Sequence, residues 1–461
     1  MRDSTRHLTI LSALAIVAWA PFLRSGHITD DFIHVGNLNR ASAWLLATEP
    51  DAFGFFRPTQ QLTYWIEHQL SPTRQMLHRL DSAALHMSVV ALAYLLANKV
   101  LASSRAAFIA ALAFVLTPKA SMIAVFWVSA RSEILMALFG LGALLSWIRW
   151  LQRGERWAFA GTVAFYVLAI FSKEAALLWP ILFAGLTVYF GRRSVGAVVA
   201  VSGFGLGAYL LRSSTGALMP DSASLYNLAT PVEVWMKNSV NYFGRAIPAP
   251  SIVMATALVA SLLGKRGVSA QPRDPPNYLS IWPLIGLSVL WFLTLIVPVA
   301  PIAARSEIRV YLAGLGFCFL TGAFAARYER VRGSRNRTNI GLAVCALVLL
   351  MYQANRARGL AETLEFSTAF SSAVKSDSTL REHRGAVEMM AANAEVKQLL
   401  GDSVGGYFGP VLRMSLGRGD IDGSIAVSTE QTTPQRGTLR LQCEYVNGEV
   451  AFRRVDEITF R

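Results

Sequence analysis

The chain has 461 residues, of which 53% are hydrophobic and 16% are charged. Typical soluble domains carry about 25% charged residues, so the composition excludes one large soluble fold and indicates many membrane spans. The formal net charge of +14 fits positive-inside topology beside anionic lipid headgroups, and no aromatic-basic motif in the sequence supports a nucleic-acid partner. The three cysteines have neither metal-ligand spacing nor the pattern of a disulfide framework.

Apolar runs predict membrane helices from the N-terminus to about residue 353. The first run, at 8–23, follows basic residues as in a signal peptide, but the later spans favour an uncleaved helix. The other predicted helices lie at 78–98, 105–117, 132–150, 157–172, 174–190, 195–211, 239–263, 278–297, 308–326 and 338–353. With about eleven spans, the basic clusters between alternate helices all fall on one side, which the positive-inside rule makes cytoplasmic. The region 212–263, with Pro248 and Pro250, could instead hold a re-entrant piece.

The predicted fold class is an all-α polytopic protein of the inner (plasma) membrane, with a transmembrane domain over 1–353. Its first outer loop, 24–77, has two amphipathic segments at 32–47 and 59–70 that suit the headgroup zone. Asp30 and Asp31 come directly after the first span. They could cap or solvate a helix end, or one could act as a general base while the other orients it or binds a cation.

Arg57 precedes Pro58 in the same outer loop, and proline restricts the residue before it to extended geometry. An arginine held in this way offers a planar fork to a phosphate. The alternative is a surface arginine beside a proline that starts a helix.

Basic residues are disfavoured in short outer loops, yet five lie there near predicted helix ends: Arg57, Arg131, Lys173, Arg305 and Arg309. A charge near the bilayer is costly unless it is paired or hydrated. Each could pair with an acid close in sequence: Arg131 with Glu133, Lys173 with Glu174, and Arg309 with Glu307. Together the five favour a shared anionic ligand at the outer surface.

The chain turns polar after about residue 353. Residues 357–400 are mostly helix-forming, and the last stretch alternates Leu439, Leu441, Cys443 and Tyr445 before Asn447-Gly448, a strong hairpin signal. We therefore predict a small α+β appendage on the outer side over 354–461. Its role, acceptor recognition or stabilisation, stays open.

Several of these elements, in this order, resemble the GT-C class of membrane glycosyltransferases. The likeness is greatest to bacterial relatives of the protein O-mannosyltransferases, including the membrane part of the tetratricopeptide-linked O-mannosyltransferases. It covers roughly residues 28–320 and rests on the segments TDDFIHV, FFRPTQQLTYWIEHQL, LHRLDSAALHMSVVALAYLLA, TPKASMIAVFWVSARSEILMALFGLGALL, FSKEAALLWPILF and ARSEIRVYLAGLGF.

The resemblance implies a role for individual residues. The acidic pair of the family corresponds to Asp30 and Asp31, with Asp30 as the catalytic base, and the donor phosphate would be bound by Arg57, Lys173 and Arg309. Supporting site residues implied by the other motifs are Arg131, Glu133, Glu174, Glu307, Tyr311 and His78. A divalent metal could sit beside Asp30 and Asp31, although the match does not demand one.

The reaction implied by the resemblance is an inverting transfer of a sugar from a polyprenyl-phosphate carrier, with no other certain cofactor. The acceptor would be a hydroxyl of a protein, glycan or lipid at the periplasmic face. The chain departs from many relatives at Thr117-Pro118 and after Tyr311, and has no C-terminal helical repeats, so the sugar and the acceptor stay open. The alternative is a transporter or flippase of a lipid-linked saccharide, although no internal repeat typical of transporters is visible in the sequence.

Overall fold

A computed structural model describes residues 2–20, 23, 27–36, 38, 41–51, 53–71, 75–116, 125, 127–217, 230–247, 281–302, 306–332, 335–404, 408–416, 420–425 and 438–455. Most of these residues are helical, and a small sheet lies near the C-terminus. The helices are α1 (Arg2–Trp19), α2 (Asp30–Gly36), α3 (Ala43–Thr48), α4 (Pro58–Leu70), α5 (Gln75–Leu101), α6 (Ser104–Val115), α7 (Arg131–Arg153), α8 (Arg156–Ser172), α9 (Pro180–Tyr189), α10 (Val195–Ser214), α11 (Val232–Ala246), α12 (Ile281–Ile296), α13 (Leu315–Arg332), α14 (Arg335–Ser376), α15 (Ser378–Glu382), α16 (Ala394–Ser403) and α17 (Phe408–Leu416). Short 3-10 turns occupy Val128–Ala130, Glu174–Leu178 and Glu307–Val310.

Three helical stretches among the described residues are long and apolar enough to cross a bilayer: Met76–Leu101, Val128–Arg153 and Val195–Ser214. Shorter apolar helices lie at Ser104–Val115, Arg156–Ser172, Pro180–Tyr189, Ile281–Ile296 and Thr338–Tyr352. The prediction of about eleven spans is therefore confirmed by length and hydropathy for three of them. The protein is a helical membrane protein.

Several predicted helices break where turn chemistry interrupts the apolar pattern. The predicted helix 32–47 is two helices, α2 and α3, and the Ser42 hydroxyl caps the second by accepting from the Leu45 amide. The predicted helix 174–190 is a 3-10 turn followed by α9, which begins at Pro180 because proline suits the first helical position. The helix predicted at 239–263 is described only as α11, and Thr117, Pro118, Pro248 and Pro250 lie outside the described residues.

Close backbone contacts hold the membrane helices together. A Cβ atom on Gly322 of α13 would lie 2.2 Å from the Ala106 carbonyl oxygen of α6, so only glycine allows this approach. A Cβ atom on Gly140 of α7 would lie 1.7 Å from the Trp179 ring, which is fully buried. Small residues thus set the spacing of the helices that carry the candidate site.

The predicted boundary between 353 and 354 falls inside α14, a single helix of 42 residues. Its first half exposes apolar side chains such as Ile340 and Val344, whereas Phe366 and Phe370 in its second half are fully buried. One continuous helix therefore joins the apolar helices to the C-terminal core.

The C-terminal sheet has four strands, β1 (Gly385–Ala391), β2 (Ile421–Ile425), β3 (Leu439–Val446) and β4 (Glu449–Arg454), in the order β2-β1-β3-β4. β1 pairs in parallel with β2 and β3, and β3 pairs antiparallel with β4. The predicted hairpin turn is confirmed, with Asn447 at φ 51° and Gly448 at φ 84°. The predicted α+β character of this segment is therefore confirmed.

The core under this sheet also contains part of the first loop. Phe32 and Val35 of α2, Tyr64 of α4 and Val128 belong to the same buried apolar cluster as Phe366 and other C-terminal residues. The segment that carries Asp30 and Asp31 therefore packs between the membrane helices and the C-terminal sheet.

Candidate active site

Asp31 is the buried member of the acidic pair. Its carboxylate Oδ1 accepts from the Ser129 amide at 2.7 Å and the Ser129 hydroxyl at 2.8 Å, and Oδ2 accepts from the Ile28 amide at 3.3 Å. Burial raises the pKa of Asp31, while Arg79 and the Ser129 hydrogen bonds oppose that rise. Asp31 therefore anchors the first loop to the turn before α7.

Asp30 begins α2 and is only partly buried. Residues four apart share a helix face, so Asp30 stands one turn from His34, whose Nδ1 lies 3.3 Å from the Gln61 amide nitrogen of α4. Gln61 lies one turn after Arg57, the residue that precedes α4. A helical turn rises about 5.4 Å. Along the chain, Asp30 lies about one turn before His34 and Arg57 about one turn before Gln61, the two residues of this contact. The His34–Gln61 contact therefore joins α2 to α4, and the meeting of Asp30 with Arg57 stays a prediction.

His34 of α2 is buried. Burial lowers the pKa of its imidazole to about 4, although Asp51 opposes that shift. Near neutral pH the His34 ring is therefore uncharged.

Arg57 binds Glu174 in a bidentate contact, through two nitrogens on one edge of its guanidinium group. Nε donates to Oε2 at 3.1 Å and Nη2 donates to Oε1 at 2.7 Å, while Arg212 Nη2 donates to Oε2 at 3.2 Å. We call Arg57, Glu174 and Arg212 the arginine–carboxylate cluster. The Glu174 side chain is 35% exposed, against 11% for Arg57 and 4% for Arg212, so it is the most exposed side chain of the cluster.

The charges of this cluster favour an anion. Burial alone would raise the pKa of the Glu174 carboxyl, but Arg57 and Arg212 hold it well below its usual range. A carboxylate clamped by two guanidiniums has the same geometry that arginines use for phosphate.

A groove of about 500 Å³ runs between α8 and α10. Its lining is almost wholly apolar: Val167, Phe171, Ala200, Gly203, Phe204, Gly207, Ala208 and Leu211. Phe171 comes two residues before Lys173, and Leu211 directly precedes Arg212. The Phe171 ring also meets the Phe56 ring edge-on at 6.0 Å, next to Arg57. The apolar groove therefore ends beside the arginine–carboxylate cluster.

Arg131 lies in a second, mostly buried group of charges, and its Nη1 is also 3.6 Å from the carboxylate of Asp81, whose side chain is 35% exposed. Its Nη1 donates to Glu67 Oε1 at 2.5 Å and its Nη2 donates to the His78 carbonyl at 2.8 Å, with the guanidinium 4.5 Å from the centre of the Tyr64 ring. His78 Nδ1 bonds the other Glu67 oxygen. We call Glu67, His78 and Arg131 the buried network.

The pKa of Glu67 reflects these partners. Burial would raise it, but Arg131 and the His78 hydrogen bond lower it from 4.5 to about 2. The glutamate is therefore ionised throughout the physiological range and neutralises the buried arginine.

The remaining predicted site residues that the structure describes are buried and have partners of their own. Lys173 forms an ion pair with Glu133, and both are buried. Tyr311 bonds His86 Nδ1 through its hydroxyl, and Arg309 Nη1 donates to the Tyr242 hydroxyl at 3.0 Å. The backbone of Glu307 begins a 3-10 turn, but its side chain and Arg305 lie outside the described residues.

Two of the local pairings considered from the sequence are wrong. Arg131 pairs with Glu67 rather than Glu133, and Lys173 pairs with Glu133 rather than Glu174. The partners lie 64 and 40 residues away in the chain, because charges at helix ends meet across helices rather than along one. The shared anionic ligand remains a prediction.

Arg212 and Glu67 are the residues that sequence reasoning missed. Arg212 directly follows the predicted span 195–211 and so was a further cation on the outer side, a signal equal to that of Arg131 or Lys173. Glu67 gave no such signal, because an acid in an amphipathic loop helix is ordinary.

The divalent metal that the sequence left open at Asp30 and Asp31 stays a prediction. Such a cation takes about six or more oxygen ligands, counting water, yet both Asp31 oxygens already accept protein hydrogen bonds. No group of three or more His, Cys, Asp and Glu side chains suited to a metal occurs in the described part of the chain.

Comparison with known proteins rests on structure alone, because no protein-family model and no curated protein matches this chain. The Archaeoglobus fulgidus oligosaccharyltransferase in its apo form matches with a TM-score of 0.50 and 12% identity, over 90% of this chain and 64% of that one. Its complex with zinc and sulfate gives 0.50 and 11%, over 89% and 61%. ArnT from Cupriavidus metallidurans bound to undecaprenyl phosphate gives 0.48 and 14%, over 88% and 76%.

This chain shares the fold of the Archaeoglobus fulgidus oligosaccharyltransferase. The two oligosaccharyltransferase structures establish it, since the match covers most of this chain. The chain spans less than two thirds of the oligosaccharyltransferase. The match at this low identity is one of architecture.

Proposed function

We propose that the chain is an inverting glycosyltransferase that moves a sugar from a polyprenyl-phosphate carrier to an acceptor hydroxyl at the outer face of the inner membrane. The observation that carries this proposal is the arginine–carboxylate cluster at the end of the apolar groove between α8 and α10. A polyprenyl phosphate needs such a pair of features, an apolar track for its tail and a cationic clamp for its head.

The donor would bind with its isoprenoid chain along the groove and its phosphate at Arg57 and Arg212. In this arrangement the phosphate replaces the Glu174 carboxylate, which belongs to the most exposed side chain of the cluster. Lys173 precedes Glu174 in the chain, and we assign both Lys173 and Arg309 to the same phosphate.

The chemistry follows from these positions. The oxygen of the acceptor hydroxyl attacks the anomeric carbon as the bond from that carbon to the phosphate oxygen breaks, so the anomeric configuration inverts. Asp30 takes the hydroxyl proton. The polyprenyl phosphate leaves with an additional negative charge, which the guanidinium groups of Arg57 and Arg212 stabilise.

The acidic pair divides its work in this scheme. Asp31, committed to Ser129, holds the loop in place, and Asp30 remains as the base. His78 and Arg131 belong to the scaffold that supports α4, rather than to the donor clamp.

The resemblance to the bacterial relatives of protein O-mannosyltransferases supports a hexose as the transferred sugar. The acceptor would be a hydroxyl of a protein, glycan or lipid. Mass spectrometry of surface glycans in a deletion strain would identify the missing sugar and the acceptor molecule to which it is normally attached.

The direct test uses the purified full chain in lipid nanodiscs with a panel of undecaprenyl-phosphate-linked hexoses and a membrane extract as the acceptor source. We expect release of undecaprenyl phosphate by the wild type. Asp30→Asn should lower kcat by about 10²–10⁴-fold, with the affinity for undecaprenyl phosphate retained. Wild-type turnover by Asp30→Asn would overturn the assignment of the base. Carrier movement across liposomes without sugar transfer would instead favour a flippase.

A further inference from the structure

The backbone just before Asp30 adopts a conformation that it would not choose alone. Thr29 has φ 41°, in the left-handed region that β-branched residues avoid. Such strain persists where the surroundings impose it. Here the Thr29 amide donates to the carbonyl of Ser403, at the end of α16, at 2.8 Å.

A second C-terminal contact acts two residues earlier. The Ser367 hydroxyl of α14 donates to the His27 carbonyl, and Ser367 is fully buried. The Ser403 hydroxyl also donates to the Thr363 carbonyl of α14 at 3.1 Å, which ties α16 to the same helix. Residues 27–29 are therefore held by one connected C-terminal unit.

The far end of α2 is held by backbone packing. A Cβ atom on Gly36 would lie 2.3 Å from the Pro410 carbonyl oxygen of α17, so the two helices touch without any side chain between them. Phe32 and Val35 of α2 are buried in the C-terminal core, at 0% and 1% exposure.

On the other side of Asp30, Asp31 is bonded to Ser129 beside α7. Asp30 therefore stands between a residue fixed by the C-terminal unit and a residue fixed by the membrane helices. We infer that the C-terminal contacts through Ser367, Ser403 and Pro410 are a positioning device that sets the place of the Asp30 carboxylate for proton transfer. This inference rests on the proposed function.

Such a role has a kinetic signature. The arginine–carboxylate cluster lies on segments other than these C-terminal contacts, so loosening α2 should leave carrier binding unchanged and slow the chemical step. A shift of about 1 Å at a reacting group can lower the rate by about 100-fold. A purely stabilising contact would reduce the amount of folded protein but leave the kcat of the folded fraction at the wild-type value.

The experiment uses Gly36→Ala and Ser367→Ala in the full chain in nanodiscs. Gly401→Ala is the control for the first, because a Cβ atom there meets nothing within 4 Å. Ser376→Ala is the control for the second, an exposed serine near the end of the same helix. Transfer is measured with the hexose donor that the wild type turns over, and binding with undecaprenyl phosphate.

We expect Gly36→Ala and Ser367→Ala to lower kcat by about 10–100-fold, with the donor KM and the Kd for undecaprenyl phosphate within about two-fold of wild type and both controls unaffected. Ser367→Ala decides the question if Gly36→Ala does not fold, because it removes a hydroxyl and adds no atom. Wild-type kcat in folded Ser367→Ala, or an equal change in KM, would overturn the inference. If Asp30→Asn keeps wild-type turnover, the proposed base is wrong, and that result is distinct from a failure of the positioning role.

Discussion

The arginine–carboxylate cluster and the buried network both set an acid against an arginine, but they differ in solvent access. In the buried network, Arg131 is 0% and Glu67 8% exposed, and the guanidinium also donates to the His78 carbonyl. In the cluster, Glu174 is 35% exposed and is shared by two arginines. A sealed pair cannot exchange a partner without leaving a charge buried. A more exposed carboxylate between two cations can give way to another anion, which is the role that the proposed function gives to Glu174.

The largest expected effect is at Arg131. Arg131→Ala leaves Glu67 without its main partner, and breaking a buried pair costs about 3–5 kcal/mol. We expect little monodisperse protein by size-exclusion chromatography in detergent. Arg149→Ala is the control, since this arginine is 46% exposed beside Glu155 and its loss should cost at most about 1 kcal/mol. Equal yields of the two variants would contradict the distinction between the two regions.

The second effect appears at low pH. The pKa of Glu67 falls from 4.5 to about 2 on folding, so its contribution to stability is present above pH 4.5 and is lost as the pH falls towards 2. Thermal unfolding of the wild type should show this loss across that window. Glu67→Gln should be less stable at neutral pH, and its melting temperature should fall less steeply than that of the wild type between pH 4.5 and 2. If the melting temperature of Glu67→Gln falls with pH as steeply as that of the wild type, Glu67 is not the cause of the acid destabilisation.

A third, smaller effect concerns the cluster. Arg57→Lys keeps the charge but loses the bidentate geometry of the guanidinium group. We therefore expect the Kd for undecaprenyl phosphate to rise by about 10-fold, with the protein still folded. Thermophoresis in detergent measures the Kd. Arg192→Lys, an exposed site in the turn between α9 and α10, should bind as the wild type does. An unchanged Kd in Arg57→Lys would remove Arg57 from the clamp.

The smallest effect is a gain. Glu174→Gln keeps the shape of the side chain but removes its charge, so Arg57 and Arg212 become available to an added anion. We expect undecaprenyl phosphate to bind a few-fold more tightly, with a steeper dependence on salt. Weaker binding by Glu174→Gln would mean that the carboxylate helps to hold the arginines in position and is not replaced by the phosphate.

The fold class and many residues of the candidate site could be predicted from the sequence, because charges at the ends of apolar runs are conspicuous. Arg57, Lys173 and Glu174 were all found in this way, and the structure joins Arg57 to Glu174 directly. The Asn447-Gly448 turn was equally clear, since its backbone conformation restricts the residue types.

What could not be predicted was which charges would pair. Arg131 lies two residues from Glu133 but bonds Glu67, because the packing of α4 against α7 decides the neighbours and sequence distance does not. The anchoring of Asp31 could not be predicted either, since it depends on the Ser129 hydroxyl reaching the carboxylate from another part of the chain.

The unbroken course of α14 also affects how the protein can be divided. A helix of 42 residues rises about 63 Å, roughly twice the apolar thickness of a bilayer. Ending the chain at residue 353 would cut through the middle of this helix and not through a linker between two domains. The stump would lack Phe366 and Phe370, and α2 would present bare apolar side chains to water. Expression trials that treat the last hundred or so residues as a detachable module should therefore give aggregates from both halves.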